Sequence, residues 1–143
     1  MKKKVFSIIL GGMLLVGSSV STLAGEKSYS GYTLYGGYQN NYTSFHSKDT
    51  DDDYISNRIT DLSGTDTATF WACDKYTDNQ YDVHRKISGT YDYTTDDEGD
   101  DAQDLDFKSK YDKDEDDKVA LGMEDGEGHK TAVGKVSGYC DFR

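Results

Sequence analysis

Along most of the chain apolar residues recur at every second position, the period of a strand with one buried face. From 81 to 93 the odd positions read Tyr81, Val83, Arg85, Ile87, Gly89, Tyr91 and Tyr93, while the even ones read Asp82, His84, Lys86, Ser88, Thr90 and Asp92. The alternation returns at Leu105, Phe107 and Tyr111, and again at Val119, Leu121 and Met123. Near the end Ala132, Val136, Cys140 and Phe142 share one face, and Gly134 and Gly138 between them predict strong twist or a bulge. Phe70, Trp71, Ala72 and Cys73 among threonines predict a central strand over 67–76 with both faces covered. Tyr32, Leu34, Tyr35 and Tyr38 predict a strand over 30–38, and 53–62 is open between a strand and a short helical turn.

The breaks between these runs are short and rich in turn formers. Residues 77–80, 96–101, 112–117 and 125–128 are the four that matter. The pattern therefore predicts an all-β fold, an antiparallel meander. A single sheet would leave its apolar face in water, so the strands should form a small β-sandwich or a partly closed barrel.

Residues 1–24 are organised differently. Lys2, Lys3 and Lys4 precede an apolar stretch over 5–16 that is too short and too glycine-broken for a good membrane span, and Leu23 separates the small residues Thr22 and Ala24. This predicts a signal peptide cut after Ala24, leaving 25–143 as a single secreted, extracellular β domain that begins at Gly25. The whole chain carries a net charge of −11, and loss of three lysines makes the remainder more acidic. Such a chain is repelled by nucleic acid and by anionic membranes, and the sequence shows no basic stripe of the kind those partners need. Proline is absent, while twelve Tyr, five Phe and one Trp supply material for a core.

In an oxidising compartment Cys73 and Cys140 are expected to pair in a disulfide closing a long loop. The acidic runs suggest calcium, because Asp112, Asp114 and Asp116 have the opening spacing of an EF-hand loop. However, Asp117 replaces its glycine and Met123 its closing glutamate. Solvated turns are the alternative, and no metal ligand or cofactor is assigned. His46, His84 and His129 sit in no recognisable catalytic setting and read as surface imidazoles, and no catalytic motif is present, so the chain is read as no enzyme. Tyr29, Tyr32, Tyr35, Tyr38 and Tyr42 follow one another at roughly three-residue spacing. On a strand that spacing would send rings to alternate faces, giving either a binding surface of Tyr32, Tyr35, Tyr38 and Tyr42 or cross-strand pairs in a small core.

The lysine-rich start, Asn40-Asn41-Tyr42-Thr43, the threonine-rich run ending in Phe70-Trp71, and Val136-Ser137-Gly138-Tyr139 together resemble a family of small secreted proteins of Gram-positive bacteria. The chain is also similar to lactococcin-type bacteriocins, secreted β-sandwich polypeptides rich in Tyr, Trp and Gly. That resemblance implies an antagonist acting on wall assembly in competing cells. The residues themselves favour a secreted, non-enzymatic binding protein whose partner is an extracellular protein or a cell-wall component. A bacteriocin-like antagonist and a calcium-dependent surface module are the alternatives.

Overall fold

The computed structural model describes residues 25–37, 39–76, 83–129 and 134–143; the expected signal peptide, Tyr38 and the turn at 77–80 lie outside the described residues. The ten strands are β1 (Glu26–Leu34), β2 (Asn41–Tyr42), β3 (His46–Ser47), β4 (Tyr54–Ser63), β5 (Thr67–Tyr76), β6 (Val83–Lys86), β7 (Tyr91–Thr94), β8 (Gln103–Asp106), β9 (Lys118–Asp125) and β10 (Gly134–Asp141). Among the described residues the one helical element is a 3-10 turn, Thr95–Asp97. The fold is all-β, and the segment left open at 53–62 is the strand β4.

Every pairing is antiparallel. One sheet runs β1-β10-β4-β8; the other runs β2-β9-β5-β6, with β3 also on β9 and β7 also on β5. Their facing sides share one core, in which Leu34, Ile55, Ile59, Phe70, Leu121, Met123, Val136 and Phe142 are buried. The result is a sandwich, not a closed barrel. On one side an isolated bridge between Ser88 and Phe107 and a hydrogen bond from Lys108 N to Ile87 O (2.7 Å) tie the two sheets together.

Bulges decide which residues face inward. Between β1 and β10, Tyr29 opposes Gly138 but Tyr32 opposes Val136, so β1 carries one extra residue there, next to Gly31 at φ +63°. Tyr29 and Tyr32 consequently both turn to the core side, edge to face at 6.0 Å, instead of alternating. A second bulge lets β4 present Ile59 and then Leu62 to the core. The run over 81–93 is likewise divided into β6 and β7, because Ser88 leaves the ladder and its hydroxyl accepts Ala72 N–H at 2.8 Å. Past Phe107 the expected alternation stops in a turn, where Tyr111 N donates to Lys108 O. Gly138 is where the sheet is thinnest: a Cβ there would lie 2.5 Å from the Tyr29 hydroxyl, whose ring covers it. That hydroxyl donates to Asn57 Oδ1 (3.0 Å), and Tyr93 Oη donates to Asn57 O (2.5 Å).

The expected disulfide is not formed. Cys73 and Cys140 are both free and buried. The reason is strand parity. Ala72 points into the shared core, so its neighbour Cys73 points to the outer face of the second sheet, where its thiol donates to Ala120 O at 3.3 Å; Cys140 lies in the core between the sheets. Burial, aided by the charge of Asp74, pushes the Cys73 thiol up to about 12.

Candidate functional site

The outer face of the β9-β5-β6 sheet carries a second apolar cluster. Trp71 lies flat over Gly122, its partner across β5 and β9, and a Cβ at Gly122 would overlap the indole ring. Cys73 and Ala120 complete the floor, and Tyr42 and Phe45 cover it. His84 on β6 joins this group. Its ring is stacked on Tyr42 (3.9 Å between centroids, 12° between planes) and on Phe45 (4.6 Å, 10°). Two near-parallel rings that close to one imidazole must lie on its opposite faces. Tyr42 also meets Trp71 edge to face at 6.2 Å, and Lys86 Nζ sits 4.7 Å above the indole. Burial holds the Lys86 amine below its ordinary range, and Lys108 adds to that by repulsion.

Strand alternation sends the next residue, Arg85, around the edge of the sheet. Its Nε and Nη2 grip the buried carboxylate of Asp74 at 2.9 and 2.5 Å, and Lys113 reaches the same group at 3.0 Å. Burial works to raise the Asp74 pKa, but the hydrogen bonds and charges of Arg85 and Lys113 win and hold it below the usual carboxylate range. The Arg85 guanidinium lies against Tyr76 (5.1 Å) and Tyr111 (4.8 Å), and Lys110 covers Tyr111 at 4.9 Å. Tyr76 is among the few large rings that remain exposed.

These contacts form a cationic corner that the sequence reading did not find. The segments 74–76, 83–86 and 107–113 contribute Lys75, Arg85, Lys86, Lys108, Lys110 and Lys113 alongside Asp74 and Asp112, and Glu124 and Asp92 also lie close enough to act on Lys86. Six cations thus gather on one edge of a chain whose net charge is −11. They are scattered over forty positions and become neighbours through the pairing of β5 with β6 and through the contact of Lys108 with Ile87.

Among the described residues, the tyrosines named as a possible binding surface have different settings. Tyr32 packs on the core, Tyr35 is exposed at the end of β1, where its carbonyl accepts Asp125 N–H, and Tyr42 alone joins the aromatic stack. Tyr38 lies outside the described residues. Of the histidines read as surface imidazoles, His129 is exposed, between Asp125 (3.0 Å) and Glu127 (3.3 Å), whereas His46 packs on Phe142 at 4.5 Å and His84 is held in the stack. Burial, then Lys27 and Lys118, hold the His46 pKa below its ordinary value.

Asp125, Glu127 and His129 are the one triple among the described residues whose donor atoms could meet on a metal. The Asp125 oxygens already have partners, though: Oδ1 accepts the Thr65 hydroxyl (2.7 Å), and Oδ2 accepts His129 N–H (2.8 Å) and meets its Nδ1. The group therefore has the make-up of a turn held by its own hydrogen bonds. In the suspected calcium loop, Asp117 Oδ2 accepts Asp114 N–H, and Glu115 N–H goes to Asp51, so that loop is anchored to the acidic stretch at 49–53. Comparison with protein families, with curated proteins and with solved structures finds no match to this chain.

Proposed function

We propose that the protein is exported and works by binding, without catalysis, through the cationic aromatic corner around β6. The partner is an anionic glycan polymer of the cell wall or its surroundings. The observation that carries this reading is the concentration of six cations around two rings, Tyr76 and Tyr111, at the β6 edge of an otherwise acidic molecule, with the Tyr76 ring exposed. Long-range repulsion from the rest of the surface is screened within about 10 Å at 0.1 M salt, whereas a polymer held against the corner feels the local cations. Sugar rings stack on exposed aromatic faces, and phosphate or carboxylate groups are met by ammonium groups. Asp74 keeps Arg85 in place between its rings, so little side-chain freedom is lost on binding.

Retention on immobilised dextran sulfate, with uncharged dextran as control, tests the reading. The purified domain should be held by the charged resin at about 0.1 M salt and released as salt rises further. The triple variant Lys86→Gln, Lys108→Gln, Lys110→Gln should flow through. Flow-through of the unaltered protein at about 0.1 M salt would refute the assignment of the corner.

A further inference from the structure

A second site lies at the seam of β1 and β10, where two buried carboxylates each keep one oxygen without a partner. Glu26 and Asp141 are direct partners across β1 and β10, and like charges facing each other across a ladder are unfavourable. Their side chains are 8 % and 5 % exposed. Each has one oxygen satisfied: Glu26 Oε1 by Arg58 at 2.9 Å and Asp141 Oδ2 by Arg143 at 2.7 Å. Glu26 Oε2 and Asp141 Oδ1 are buried without a hydrogen-bond partner. Buried carboxylate oxygens in that state call for a positive group.

Both the place and the nature of that group are set by Gly25. A Cβ on Gly25 would lie 2.9 Å from Asp141 Oδ1 and would collide with Asp49 Oδ2, so the orphaned oxygen and a third carboxylate both point at this residue. The α-nitrogen of Gly25 is one bond from the same Cα, about 1.5 Å away. Within a continuous chain that nitrogen is an amide with a single proton. After a cut between residues 24 and 25 it becomes a primary ammonium with three donors and a full charge.

We infer that Glu26, Asp49 and Asp141 form a receptor for a primary ammonium, filled by the chain's own α-amino group once the bond before Gly25 is cut. This rests on the export reading above, since that reading supplies the cut. Cleavage is thereby coupled to stability: the same event that frees the domain supplies the missing cation to the seam between its first and last strands. Glycine is required because any side chain would displace the carboxylates that bind the terminus.

The test compares proteins starting at Gly25 and at Ala24, each with and without Asp141→Asn. The Gly25 form should melt at least about 4 °C higher than the Ala24 form. In the Asp141→Asn background that gap should shrink to about a quarter or less, because the coupling is then removed. Should Asp141→Asn not fold, Nα-acetylation of the Gly25 form replaces it and should bring the melting temperature down to that of the Ala24 form. Equal melting of the two starts, or a gap unchanged by Asp141→Asn, overturns the receptor. The N-terminal mass of the secreted protein tests the cut separately. A start other than Gly25 overturns the cleavage, whereas a Gly25 start without a stability gap overturns the receptor alone.

Discussion

Raising the pH should destabilise this protein, and the burial of four ionisable groups sets the sign. Tyr29, Tyr93, Cys73 and Cys140 are all buried, and burial pushes the pKa of each upward. In the unfolded chain the thiols and phenols ionise near their ordinary values of 9.0 and 10.0. A group whose folded pKa is raised contributes stability below its unfolded pKa and loses it as pH rises toward the folded one. At pH 10.5 that loss is about 2 kcal/mol for each thiol and a little under 1 kcal/mol for each phenol, or about 6 kcal/mol together. Lys48 and Lys86 act in the opposite sense, because burial lowers their pKa, and they offset part of it. What remains after that offset is a large share of the 5–15 kcal/mol that holds a typical domain together. Urea titrations followed by the fluorescence of Trp71, the single tryptophan, should show the midpoint falling by roughly 2 M between pH 8 and pH 10.5. The doubly substituted Cys73→Ala, Cys140→Ala protein should lose more than half of that pH dependence. A midpoint that stays level to pH 10.5, or a dependence unchanged in the cysteine-free protein, would refute the reasoning.

Two further outcomes are expected. Gly122→Ala places a methyl group inside the Trp71 indole and should cost about 1–3 kcal/mol by overpacking, with a shift in tryptophan emission as the ring is displaced. Asp74→Ala leaves Arg85 and Lys113 without their shared carboxylate; because Arg85 is partly solvated, a loss of about 1–3 kcal/mol is expected in chemical denaturation at pH 7. The folded Asp74 pKa lies below 3.8, so its stabilisation is present above that value and disappears as pH falls through the folded pKa. The variant and the unaltered protein should therefore converge in stability at strongly acid pH.

Much of the fold could be read from period alone, and the misreadings have local causes. In β10 the even positions Val136 and Cys140 do face the core, because the strand is read without interruption. In β1 the same rule fails, since the extra residue beside Gly31 reverses parity, and no period in the sequence marks a bulge between two tyrosines. The disulfide expectation rested on compartment and count, whereas Trp71 and Cys73 share a face that a strand covered on both sides does not distinguish from the core. The cationic corner was illegible for a different reason: no window contains it, and it exists only once β5 has paired with β6 and the turn after Phe107 has folded back on Ile87. The receptor at Gly25 depends in the same way on Glu26 and Asp141 meeting from opposite ends of the chain.

The position of β10 has a consequence for how the molecule comes into being. Residues 134–141 form an inner strand of the four-stranded sheet, with β1 on one side and β4 on the other. Until they are available, β1 has no partner in this sheet and β4 pairs with β8 alone, so the core-facing side of the other sheet is only partly covered. Completion of the four-stranded sheet therefore waits for residues 134–141. The closing of such distant contacts makes the folding step slower than that of a helical bundle of similar size.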